Sequence, residues 1–159
     1  MIINGADLLY RGPIKGMIND KMRQHGVSFG LSEAGYDIRI KQDVVFDKSG
    51  RGWVDGITDN GNFCLASAIE EFYMPPNLVG IVHDKSTWAR QGLSVFNTVI
   101  EPSWNGFLTL ELVYHGRNGL HIPAGAGIAQ VIFHQTSSKA YYDGKYQNQD
   151  NKPVEAKME

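Results

Sequence analysis

The sequence predicts a mainly β fold, a distorted barrel or sandwich of short strands with one short helix near the N-terminus. Three observations carry that expectation. From about residue 44 onward, short apolar and β-branched runs recur at close spacing; glycine, proline, asparagine and aspartate fill the gaps between them; and strands do not alternate with the longer helical patterns of βαβ units. The chain has 159 residues, the usual size of one domain, so a single domain over 1–159 is expected.

Taken in order, the best helical pattern is PIKGMINDKMRQ at 13–24, where Ile14, Met17, Ile18 and Met22 recur near a 3.6-residue period after Pro13. Its length and Gly16 make it a cap on the β core. SEAGYDIRI at 32–40 reads as a turn entering a strand. The strand candidates that follow are VVF (44–46), WVDGI (53–57), NFCLAS (62–67), FYM (72–74), LVGIVH (78–83), LSVFNTVI (93–100), FLTLELVYH (107–115), LHI (120–122) and IAQVIFH (128–134). PPN at 75–77 and EPSWNG at 101–106 are turns. The segment 141–159 is polar, rich in Asn, Gln, Asp and Lys, and has no apolar periodicity after Tyr146; on its own it would be disordered.

Composition narrows the function. A formal net charge of −2 argues against broad electrostatic binding to nucleic acid or to an anionic membrane, so any anion site must be local. The single cysteine, Cys64, excludes an internal disulfide and a Cys-rich zinc site. The N-terminus lacks the basic and apolar regions of a signal peptide, and no apolar run approaches the ~20 residues of a membrane span, so a cytoplasmic protein is expected. The five histidines show no H-E-x-x-H spacing, and the zinc-deaminase signature is absent, so no metal ligands are assigned.

GIVHDKST at 80–87 almost spells a P-loop, but Asp84 replaces the second glycine and the chain is expected to return to strand with no helix facing the anion. Lys85, Ser86, Thr87 and Arg90 still form a compact set of phosphate donors, with a polar turn as the plainer alternative. In FLTLELVYH, alternation puts Leu108, Leu110 and Leu112 on one face and Thr109, Glu111 and Val113 on the other. Glu111 is then either a solvated carboxylate or, if its face is covered, a proton carrier near neutral pH. Glu101 and Trp104 occupy the turn before this strand.

In order and spacing, five segments resemble the dCTP deaminase branch of the dCTP deaminase and dUTPase superfamily: EAGYDIRI (33–40), LVGIVHDKSTWARQGL (78–93), VIEPSWNGFLTLEL (99–112), AGAGIAQVIF (124–133) and YDGKYQNQ (142–149). The resemblance implies a dUTPase-like jelly roll or distorted barrel. It also implies a homotrimer with sites between subunits, and zinc-independent deamination of dCTP to dUTP and ammonia. Mg²⁺ would ride on the triphosphate.

By the same resemblance Glu111 is the proton shuttle, Ser86 holds the attacking water and Arg90 keeps the polar network in register. Lys85, Ser86, Thr87, Tyr142, Lys145 and Gln149 meet the triphosphate. Thr109 and Leu110 line the base, Glu101 and Trp104 flank the deoxyribose, and Trp88, Ala89 and Gln130 complete the binding set. The tail from 141 is expected to close over the nucleotide. Two departures stand out: Lys85 replaces the family's arginine, and Glu101 replaces its aspartate. A bifunctional deaminase that goes on to dUMP, a dUTPase, and a noncatalytic regulatory trimer binding dCTP, dUTP or dTTP are the alternatives.

Overall fold

A computed structural model describes residues 1–58 and 61–158; Asp59, Asn60 and Glu159, which the expected domain and tail include, lie outside the described residues. In chain order its elements are Ile2–Ile3 (β1), Gly5–Arg11 (α1), Lys21–Gln24 (β2), Val27–Leu31 (β3), Tyr36–Arg39 (β4), Val44–Phe46 (β5), Gly52–Val54 (β6) and Ile57–Thr58 (β7). They continue with Phe63–Tyr73 (β8), Leu78–Asp84 (β9), Ser86–Ala89 (α2), Leu93–Val95 (β10), Val99–Ile100 (β11), Asn105–Tyr114 (β12), Leu120–Ile122 (β13) and Gly127–Gln135 (β14). The fold is mainly β, as the spacing of apolar runs predicts. Among the described residues the strands form layered open sheets and not a closed barrel.

The largest sheet runs β11-β9-β14-β4-β3-β2, and β1 also pairs with β14. A second sheet, β10-β12-β8, carries the strand that contains Glu111, and a third runs β13-β5-β6-β7. Strand alternation fills the space between the sheets. On β8 and β12, Cys64, Ala66, Ala68, Phe72, Leu110 and Leu112 are wholly or almost wholly buried, and they join Ile38, Val82, Ile128, Val131 and Phe133 of the large sheet in one core. Among the described residues no helix is long and apolar enough to cross a membrane.

The helix lies elsewhere than its pattern predicts. α1 occupies 5–11 and buries only Leu8, and it stops at Gly12, whose left-handed backbone (φ 58°) donates its N–H to the Leu8 carbonyl. Pro13 then begins an irregular stretch. Ile14 bridges to Phe72, Gly16 adopts φ 62°, the Ile18 N–H donates to Tyr36 Oη, and Lys21–Gln24 forms a strand. The apolar residues at 14–18 are therefore recruited one at a time by the β core, and a helical face is not formed. WVDGI is likewise two strands, because Asp55 and Gly56 take positive φ and close a hairpin between β6 and β7.

Candidate active site

Glu111 sits in the middle of β12, directly across from Leu65 of β8, with Thr109 facing Ser67 and Val113 facing Phe63 on either side. Its side chain opens into a cleft of about 380 Å³ whose apolar wall is Phe63, Leu65, Val99, Ile100 and Leu108. Glu101, Trp104, Thr109, Tyr142 and Gln149 line the same cleft, so five of the residues expected to serve base, sugar and tail contacts come together with Glu111. Burial pushes the Glu111 carboxyl above the ordinary carboxylate range, opposed only by a backbone hydrogen bond. One carboxylate oxygen, Oε2, is buried with no hydrogen-bond partner among the described residues. An unpaired, partly desolvated carboxyl in a cleft is an arrangement suited to taking up and releasing a proton.

The tail lines this cleft with Tyr142, Tyr146, Gln149, Val154 and Ala156, and polar contacts hold it. Trp104 Nε1 donates to the Tyr146 carbonyl (2.7 Å), the Asn105 N–H donates to Gln147 Oε1 (2.7 Å), and Gln147 Nε2 donates to the carbonyls of Ser103 (2.9 Å) and Tyr142 (3.0 Å). Gln149 Nε2 donates to Thr109 Oγ1 (2.6 Å) and to the Phe107 carbonyl (3.0 Å), and the Val154 N–H donates to the same Thr109 oxygen (3.1 Å). Gly106 makes room. At φ 131°, a Cβ there would lie 2.5 Å from the Gln149 amide nitrogen. The polar composition that would leave this segment disordered on its own thus supplies its attachments.

The second group of expected residues lies in a different pocket. Lys85, Ser86, Thr87 and Gln130 line a polar hollow with Lys21, Ser28, Ser32, Glu33, Asp37 and Asp84. None of these residues lines the Glu111 cleft. Lys85 is engaged: Nζ donates to Asp37 Oδ2 (2.6 Å) and to Ser28 Oγ (3.1 Å), and both members of the ion pair are largely buried. Asp84 accepts the Val95 N–H (2.6 Å), which ties the end of β9 to the end of β10. Gln130 Nε2 donates to Ser32 Oγ (2.7 Å).

Three expectations change in detail. A helical turn, Ser86–Ala89, does follow Lys85 where a direct return to strand is expected, held by the Ala89 and Arg90 N–H groups donating to the Lys85 and Ser86 carbonyls, and Gly92 at φ 93° lies beyond it before β10. Trp88 has its ring in the core, with Nε1 donating to the Gly127 carbonyl (2.7 Å), and Leu110 is almost wholly buried; both can meet a ligand only through their backbones. Ser86, Thr87, Ala89 and Arg90 are exposed, and Arg90 lines neither pocket.

Sequence reasoning misses Asp37 and Ser28 as the partners of Lys85, and Phe63 and Leu65 as the wall facing Glu111. The alternation in NFCLAS puts Phe63 and Leu65 on one face, but only the pairing of β8 with β12 brings that face to Glu111.

Residues 54–136 match the model of the dCTP deaminase-like family. Curated proteins named dCTP deaminase from Chlamydia pneumoniae and Roseiflexus castenholzii are each 34% identical to the chain, over 83% of this chain and 81% of the first and over 87% of both chains for the second. The chain belongs to the dCTP deaminase-like family.

Solved structures similar in fold to this dCTP deaminase-like chain include the native dUTPase of EIAV, with TM-score 0.54 and 20% identity over 84% of this chain and 91% of that one. A variant dUTPase of phage phi11 of S. aureus gives TM-score 0.55 and 14% identity over 79% and 89%. At these identities the likeness is one of fold. The matched family segment contains Lys85 to Arg90, Glu101, Trp104 and Glu111, whereas Tyr142, Lys145 and Gln149 lie beyond it.

Proposed function

We propose that this chain is an enzyme that deaminates dCTP, taken as its Mg²⁺ complex, to dUTP and ammonia without zinc, in the cytoplasmic metabolism of pyrimidine deoxynucleotides. The observation that carries the reading is Glu111: a carboxyl pushed up by burial, with one oxygen unpaired, in a cleft of nucleoside size. Relatives named dCTP deaminase support the substrate.

In this reading, cytosine lies in the cleft with C4 beside Glu111. The carboxylate removes a proton from water as the oxygen bonds to C4, and protons then pass to N3 and to the departing amine, so that ammonia leaves and uracil remains. One carboxyl serves as base and then as acid because its desolvation brings its pKa toward the working pH. Ser86 orients the water and Arg90 aligns the polar groups. Lys85, Ser86, Thr87, Tyr142, Lys145 and Gln149 take the triphosphate, and Mg²⁺ is cargo of the substrate.

A homotrimer is part of the proposal. Glu111 and Ser86 face different pockets of one chain, so a substrate that meets both needs the second pocket from another copy. The chain is read as one domain whose segment 141–159 closes over the nucleotide, as the attachment of Gln149 and Val154 to Thr109 supports.

The test is product analysis with dCTP, CTP, dUTP and 5-substituted dCTP in the presence of Mg²⁺. Release of dUTP and ammonia supports the reading. Release of dUMP and pyrophosphate identifies a bifunctional enzyme, and consumption of dUTP alone refutes the role of Glu111. Glu111→Gln is expected to bind dCTP and to lose about 100-fold or more in turnover. Tight binding of dCTP or dTTP by the wild type with no turnover would mark a regulatory binding protein.

A further inference from the structure

Charge is unevenly provided between the two pockets. The hollow that holds Lys85 contains two lysines and three carboxylates, Glu33, Asp37 and Asp84. Lys85 is paired with Asp37 at 2.6 Å and Lys21 with Glu33 at 2.5 Å, so neither cation is free to neutralise a polyanion without giving up a partner. Lysine also grips phosphate as a point charge, without the two-pronged geometry of arginine.

The tail holds the opposite arrangement. Lys157 and Lys145 form a reciprocal clasp in which each ammonium donates to the other's backbone carbonyl, the Lys157 bond being 2.8 Å long. Both ammonium groups lie over the Tyr146 ring, at 5.4 Å for Lys145 and 5.7 Å for Lys157, and the Lys157 N–H donates to Tyr146 Oη (3.0 Å). Among the described residues neither lysine has a carboxylate within ion-pair distance. Tyr146 and Ala156, their neighbours, line the Glu111 cleft.

Each ammonium carries three donors and the clasp uses one, so donors remain on both. Two like charges held at one aromatic ring repel each other, and an anion placed between them relieves that repulsion. The ring and the clasp hold the two long side chains in place, which lowers the entropy lost when they bind.

We propose that Lys157 is a further phosphate-binding residue, acting with Lys145 across Tyr146 as a two-cation grip on the triphosphate at the mouth of the Glu111 cleft. It supplies the charge that the Lys85 hollow has already spent. The proposal rests on the nucleotide reading above for its natural ligand but is tested without it. Calorimetry on the full chain, with Mg²⁺ present, measures inorganic tripolyphosphate and deoxycytidine separately for wild type, Lys157→Met, Lys157→Arg and, as a control, Lys152→Met.

Lys157→Met is expected to weaken tripolyphosphate about 10-fold, to flatten its salt dependence and to leave deoxycytidine unchanged, with Lys157→Arg restoring the affinity. Lys152→Met is expected to have no effect. Wild-type indifference to tripolyphosphate, a loss under twofold in Lys157→Met, or an equal loss for deoxycytidine would overturn the proposal, the last by showing that Lys157 only fastens the tail. If tripolyphosphate behaves as expected while dCTP is not turned over, the deaminase reading fails and the grip stands.

Discussion

Thr109→Val tests whether the tail is held by one hydroxyl. Thr109 Oγ1 accepts from Gln149 Nε2 at 2.6 Å and from the Val154 N–H at 3.1 Å, while its β-branched shape, which valine keeps, fills the face of β12. A typical buried hydrogen bond contributes about 0.5–1.5 kcal/mol net, so losing both costs about 1–3 kcal/mol. Gln149 Nε2 keeps its bond to the Phe107 carbonyl, which places the loss near the middle of that range, about 2 kcal/mol. At 1.4 kcal/mol per factor of ten, the open tail becomes roughly 30-fold more populated. Hydrogen exchange at the amides of Val154 and Lys157 should speed up by that factor, with Thr109→Ser near wild type and the core of β8 and β14 unchanged. Unchanged exchange at Val154, or equal acceleration throughout β8 and β12, would refute the anchor.

Two further outcomes concern pH and charge. Glu111 has a folded-state pKa raised above its unfolded value of 4.5, so its contribution to stability is full below that value and is lost as pH rises through the folded pKa. Glu111→Gln should therefore gain on wild type as pH rises from 4 to 8 in urea unfolding, and a constant difference would contradict the desolvation of Glu111. Arg39→Met removes the Nε donor at 2.9 Å from Glu70 Oε1, leaving a buried carboxylate without its cation while the Arg39 N–H stays at 2.9 Å from Oε2. Because Arg39 is partly exposed, the expected loss is near the low end for a broken buried pair, about 3 kcal/mol at pH 8. It should be smaller at pH 5, since Glu70, already raised by burial, is then more readily protonated; equal losses at both pH values would refute the pairing.

How much of this was legible in the sequence depends on the distance between cause and effect along the chain. Most strands from Val44 onward follow their apolar runs because alternation and turn residues are local signals, and the inward face of Leu110 and Leu112 is read directly from them, but β8 joins NFCLAS and FYM into one strand and LSVFNTVI divides into β10 and β11 of different sheets. α1 is hidden because seven residues that bury only Leu8 leave no period to detect, whereas Ile14, Met17 and Ile18 imitate one while serving the β core separately. The site residues separate in the same way. Lys85 and Glu111 can be picked out from motifs, but the Asp37 that holds Lys85 lies 48 positions away and the Leu65 that faces Glu111 is fixed by strand register. The tail gives no apolar signal because hydrogen bonds to Thr109, Trp104 and Asn105 hold it.

Glu70 and Glu111 show how function is distinguished from structure when both carboxyls are shifted in the same direction. Both lie within long strands, and burial pushes both upward. Glu70 is the more enclosed, yet its oxygens are met by the Nε and backbone N–H of Arg39, and the Arg39 guanidinium is itself stacked over Phe29 at 4.9 Å. A proton added to Glu70 would break those contacts, so this carboxylate is held within the chain and serves the fold. Among the described residues Glu111 has no such cation, and one of its oxygens is left buried without a partner beside an apolar wall. Protonation there removes a cost without breaking an ion pair, and a ligand that supplies a hydrogen bond removes the same cost in another way. The carboxyl left unsatisfied by its own chain is therefore the one prepared to exchange a proton with a substrate.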